Sequence, residues 1–194
     1  YFNYKIPSQL LTFSLTALQC LERLNENRES LRLFIEPYLK VDLKDYFLKH
    51  KVFTAKPKSG NFAMFLAVIL IYARDWLDID TQNKINYWVN SHKKNLNNLN
   101  LWGCKDFYSQ FQNAYHQYEI FDYLNINIFE NEELYNKLTI IQDKEGHFGP
   151  YPGGGGCYDF DAVKMLTLSR KQDVKIDKSL LKFANRIILE QNKN

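Results

Sequence analysis

The side chains that could move protons in this chain gather in two segments. One is Asp159-Phe160-Asp161, directly after a glycine tract; the other is Asn113-Ala114-Tyr115-His116-Gln117-Tyr118-Glu119. A carboxyl group and an imidazole are the usual equipment for general acid–base work, because the imidazole titrates near neutrality and burial tunes both. Asp161 and His116 are therefore the first catalytic candidates, with Asp159 as a further acid. Glu119 lies three residues beyond His116 and can share its helical face. Asp159 also suits a helix cap, and His116 suits a buried histidine bonded to a neighbour's backbone. Tyr115, Tyr118, Tyr151, Tyr158 and Phe160 could stack on a sugar ring or stabilise a cationic intermediate. An aromatic helix core would use the same residue types.

Six of the eight glycines fall between Gly146 and Gly156. Ordering the run Gly153 to Gly156 costs chain entropy, so a compensating contact is expected: Gly154 and Gly155 would let backbone approach a ligand. The tract lacks the Lys-Ser/Thr of a phosphate loop, so no nucleotide is expected there. His147 reads as an exposed loop residue, and Cys20 and Cys104 as packing residues. His50 and His92 receive no role.

These residues need elements to hold them, and the spacing supplies a plan. Four capping candidates, Ser8, Asn61, Asn113 and Asp159, each precede an aromatic and aliphatic run at helical spacing. They lie 53, 52 and 46 residues apart (61−8, 113−61, 159−113), which predicts a unit of about 50 residues. A second helix fits within each unit: Glu29 to His50 (broken near Pro37), Thr81 to Lys94, Glu132 to Ile141 and Lys178 to Gln191. The last carries Leu180, Leu181, Ala184, Ile187 and Ile188 on one stripe, the pattern of a helix packed on a core. Phe62 to Ala73 is apolar nearly all round and should be buried on several faces. No segment alternates as a strand would. The expected fold is all-α, an incomplete toroid of about four α/α hairpins forming one repeat domain over residues 1–194.

Composition narrows the function. The chain has 194 residues, 45% of them hydrophobic and 15% aromatic, with a net charge of +3. That charge is scattered and too small to point to nucleic acid. The longest apolar run is about 12 residues against the roughly 20 a bilayer requires, so no membrane span is expected. Three widely spaced cysteines argue against a disulfide framework or zinc knuckle and for a reducing, cytoplasmic setting.

The most specific motif is Gln142-Asp143-Lys144-Glu145-Gly146-His147-Phe148-Gly149. It resembles the Gln-x-x-Asp-Gly-x-Trp repeat of the terpenoid cyclase and protein prenyltransferase toroid superfamily. Gln142 and Gly146 match outright, with Glu145 in place of the Asp and Phe148 in place of the Trp. Leu101-Trp102-Gly103 is a fainter echo one unit earlier. The resemblance implies that the Gln ties its turn to a neighbouring helix and that the aromatic ring packs beneath it. It also implies a ligand cavity where the inner helices begin. Gln191 lies 49 residues after Gln142 (191−142), as a further repeat would require. The expectation is therefore a piece of a longer toroid, or an arc closed by a further segment or subunit. In class II terpene cyclases the proton donor is the middle Asp of Asp-x-Asp-Asp, which would fall on Asp161; the fourth position here is Ala162. In protein prenyltransferases zinc is held by Asp-x-Cys and a distant His; the reversed Cys157-Tyr158-Asp159, with His116, supplies the zinc candidates.

Three functions follow as expectations. The first is an enzyme akin to the terpenoid cyclases and prenyltransferases acting on an isoprenoid. The second is a carbohydrate-active hydrolase or lyase on the same fold, and the third a non-catalytic helical-repeat binding protein. Exposed tyrosines with several carboxylates would favour the sugar, and a cavity of Phe, Trp and Leu the isoprenoid.

Overall fold

The computed structural model describes residues 28–104, 106–151, 156–168 and 174–191. Among them are eight α-helices and no strand: α1 Arg28–Leu39, α2 Leu43–His50, α3 Ser59–Leu77, α4 Gln82–Lys94, α5 Phe107–Tyr123, α6 Glu132–Ile141, α7 Cys157–Leu168 and α8 Val174–Gln191. A short 3₁₀ turn, Val52–Thr54, follows α2. The all-α expectation holds. The chain divides into two compact units, Tyr1–Asn95 and Leu96–Asn194, within the span read from sequence as one domain.

In the first unit α3 is the core. Phe65, Leu66, Ile69, Leu70 and Ala73 are all but inaccessible, as its all-round apolarity requires. With 19 residues, α3 is by length and composition long enough to cross a membrane, which the shorter apolar run had seemed to exclude. Its neighbours account for that apolarity, and they also reach its backbone. Tyr46 Oη donates to Phe62 O at 3.1 Å, Trp88 Nε1 to Ala63 O at 3.0 Å and Thr81 Oγ1 to Leu70 O at 2.6 Å. Arg32 donates to Leu77 O at 3.1 Å, satisfying a carbonyl that the helix end leaves without an intrahelical partner. The expected break in the Glu29–His50 helix falls after Leu39, beyond Pro37, where Asp42 caps α2 by accepting from Asp45 N.

The helix starts correct the capping assignments. Ser8 lies outside the described residues. Asn61 sits inside the first turn of α3, whose N-cap is Lys58 with no side-chain cap bond. Asn113 is mid-helix in α5, which is capped by Asp106 through Ser109 N at 2.9 Å. Asp159 is the third residue of α7 and bonds backward to the preceding turn rather than to its own helix. The period survives nonetheless: α3, α5 and α7 begin 48 and 50 residues apart (107−59, 157−107).

In the second unit α5 and α7 run side by side in the same direction. Tyr108 and Phe111 meet Tyr158, Tyr115 meets Phe160, and Glu119 and Asp122 meet Lys164, so the contacts advance together along both helices. Two parallel neighbours joined through an intervening helix, α6, form the minimal unit of a hairpin array. Helix α8 begins four residues earlier than expected and packs a different face. Ile176 and Ser179 are buried, whereas Leu181 (61%), Ile187 (37%) and Ile188 (55%) are exposed. The stripe assigned to its core faces outward instead.

Candidate functional site

The turn at Gln142–Gly149 is the scaffold of the site. Gln142 Nε2 donates to Gly146 O and to Ser179 O, both at 3.0 Å, and Gln142 Oε1 accepts from Ser179 Oγ at 2.9 Å. The Gln therefore staples the turn to the body of α8. Phe148 is fully buried with its ring 6.3 Å from Phe183. Gly146 has φ +102°, and a Cβ there would stand 3.1 Å from Lys182 O. Both handedness and proximity exclude a side chain.

The earlier echo is the same turn. Asn97 N donates to Leu101 O at 2.9 Å as Asp143 N donates to His147 O at 2.8 Å, and Asn100 N→Asn97 O matches Gly146 N→Asp143 O. The Asn97 carboxamide oxygen accepts from Leu99 N and Leu101 N as Asp143 Oδ1 accepts from Glu145 N and His147 N. Asn100 takes φ +57° where Gly146 takes +102°. Trp102 then stands where Phe148 does, stacked on Phe121 at 6.1 Å and edge-on to Tyr118 at 5.9 Å. A short polar residue stands three positions before the left-handed residue in both turns, Asn97 before Asn100 and Asp143 before Gly146.

Asp159 and His147 are tied to this scaffold. Asp159 Oδ2 pairs with His147 Nδ1 at 2.8 Å and Asp159 Oδ1 accepts from Phe148 N at 2.6 Å. His147, read as an exposed loop residue, is only 6% exposed. Sequence offers no local signal for this pair, since the partners lie 12 positions apart across the glycine tract.

Asp161 is different. It is 3% exposed, and among the described residues no donor reaches its Oδ2. Burial pushes its carboxyl up to about 8, so it keeps its proton at neutral pH. Its charge would bear on two phenols, Tyr115 and Tyr158, both of which burial, more than charge, pushes upward. His116, adjacent to Tyr115, is held down to about 4 by burial and is neutral over the same range.

The proposed binding residues divide. Tyr115 and Tyr158 are half-buried beside Asp161, Phe160 projects with 60% exposure, and Tyr151 with 69% lies near Tyr158. Glu119 is partly exposed and pairs with Lys164 at 3.3 Å. Tyr118 is a correction: it is fully buried, its hydroxyl donates to Asn100 O at 2.9 Å, and it serves the core. Gly154 and Gly155 lie outside the described residues. The zinc candidates are not brought together. Cys157 is exposed, Asp159 is committed to His147 and Phe148, and among the described residues no three His, Cys, Asp or Glu side chains are grouped to hold a metal ion. No family model, no curated protein and no solved structure matches this chain.

Proposed function

We propose that the shared face of α5 and α7 acts on a carbohydrate, with Asp161 as proton donor and His116 as proton acceptor at a glycosidic bond. The observation that carries this reading is Asp161 itself, a buried carboxyl beside Tyr115 and Tyr158 whose Oδ2 meets no donor among the described residues. Burial favours the protonated carboxyl of Asp161 and the neutral imidazole of His116, the forms in which an acid and a base would start the reaction. In an elimination, the imidazole takes a proton from the carbon next to the broken bond. The carboxyl gives its proton to the departing oxygen, and the electron pair left on carbon forms the new double bond. The exposed rings of Tyr151 and Phe160 beside the half-buried Tyr115 and Tyr158 suit the apolar faces of sugars.

A second reading rests on the same acid. A protonated Asp161 among aromatic rings, on a scaffold that carries the Gln142–Phe148 turn, also suits proton-initiated chemistry on an isoprenoid. Oligosaccharides and isoprenoid diphosphates offered to the full chain separate the two. The sugar reading expects oligosaccharide turnover, followed as unsaturated or reducing-end product, that Asp161→Asn or His116→Ala abolishes while binding persists. Phe160→Ala should weaken binding by about 1 kcal/mol. Consumption of the isoprenoid alone, with the same dependence on Asp161, would select the second reading. If the parent chain turns over neither substrate class, both catalytic readings fail, and a helical-repeat binding protein is left.

A further inference from the structure

A concavity lies in the first unit, far in sequence from Asp161. Helices α2 and α4 flank an open groove of about 700 Å³, within the roughly 300–1,000 Å³ of small-molecule sites. Lys44, Phe47 and Leu48 reach it from one face of α2 and Lys51 from the cap that ends that helix, while Tyr87, Ser91 and Lys94 reach it from α4 and Asn95 from its cap. Its floor is aromatic. Phe47 is 6% exposed, lies near-parallel to Tyr87 at 6.2 Å and 16°, and meets Phe53 edge-on at 5.4 Å.

Its rim is cationic. Lys44, Lys51, Lys56 and Lys94 line it, and no Asp or Glu is among its described lining residues. Lysines gathered around one concavity raise the local positive potential and favour an anion there. Lys51, Ala55 and Lys58 all adopt left-handed φ, at 53°, 52° and 69°, where glycine would be less strained. Lys51 closes α2 through its N–H to Leu48 O and Phe47 O, a position that glycine commonly fills. A lysine there keeps an ammonium on the groove at a conformational cost. Leu48 and Tyr87 remain 68% and 45% exposed beside it.

We propose that this groove binds a nucleoside phosphate. The base lies on a platform made by the exposed ring of Tyr87, backed by the buried Phe47, and the phosphate oxygens take charge-assisted hydrogen bonds from the surrounding lysines. A bare phosphate would leave the platform unused, and a neutral ring would leave the charges unused. This inference stands apart from the proposal for Asp161, because no residue is shared.

Isothermal titration of the full chain with ATP, adenosine and inorganic pyrophosphate tests it. ATP should bind more tightly than either part, and its affinity should fall as ionic strength rises. The double variant Lys51→Gln/Lys94→Gln, checked as folded by its thermal melt, should raise the ATP Kd by about tenfold or more. Tyr87→Ser should weaken ATP but leave pyrophosphate unchanged. Pyrophosphate binding as tightly as ATP, an unaltered Kd in the lysine variant, or no binding of ATP where a single-stranded oligonucleotide binds, would each overturn the proposal.

Discussion

Burial acts in opposite directions on the two groups proposed to move protons. An unfolded Asp161 titrates near 3.8 and the folded one near 8. Between those values the unfolded chain releases a proton that the folded chain keeps, so Asp161 lowers stability as pH rises. An unfolded His116 titrates near 6.5 and the folded one near 4. Its contribution is therefore present above 6.5 and lost as pH falls. The two slopes oppose each other from about 4 to 6.5, and only Asp161 acts from there to about 8. Urea unfolding should accordingly show stability falling from pH 6.5 to 8 by up to about 1.4 kcal/mol per unit. Asp161→Asn should flatten that fall; an unchanged slope in the variant would show that Asp161 is not the buried acid. Asp159 answers to a different test. Asp159→Ala removes the acceptor for both His147 and Phe148 N and should cost about 2–4 kcal/mol in urea unfolding. Asp159→Asn retains an oxygen for Phe148 N and should cost about 1 kcal/mol. Equal losses in both variants would contradict the geometry.

Turns, more than caps, organise the helices here. The two equivalent turns set Trp102 and Phe148 as buried wedges, and each precedes a helix, α5 or α7, that faces the site. Gly146 is the point of closest approach: Gly146→Ala would force a left-handed alanine against Lys182 O. It should lower the thermal midpoint, for a loss of about 2 kcal/mol or more. A loss under about 0.5 kcal/mol would show that the turn can move off α8 without penalty. The same docking explains why the apolar stripe on α8 was misassigned. Periodicity registers that Leu181, Ile187 and Ile188 share a side. The turn, however, takes the side bearing Ser179, Lys182, Phe183 and Arg186. Capping residues misled for a related reason. Asn and Asp serve caps, Asx turns and mid-helix bonds alike, and Asn113 uses its side chain on Ser109 O within the helix.

At the level of the chain, the two compact units carry their own cores: the α3 cluster of Ile35, Phe65, Ile69, Tyr72, Ala73 and Leu77 in one, and the Trp102 and Phe148 packing in the other. Phe148→Ala should cost about 3–5 kcal/mol. Hydrogen exchange should speed up across α5–α8 and leave α3 and α4 near their original protection. Equal acceleration in α3 would mean that the units unfold as one.

Helix content, the near-50-residue recurrence, the apolar α3 and the turn at Gln142 were all legible in the amino-acid order, because each depends on contacts or spacings local to the chain. Asp161 and His116 could be picked out by type and neighbourhood. Their opposed protonation could not, since desolvation depends on how α5 and α7 pack against each other. Packing alone tied Asp159 to His147 and the Tyr118 hydroxyl to Asn100. It also gathered Lys44, Lys51, Lys56 and Lys94 around one groove, although they are spread over 51 positions (94−44+1). Adjacency along the chain follows from covalent order, whereas distance between side chains on different helices is set only once the helices have packed.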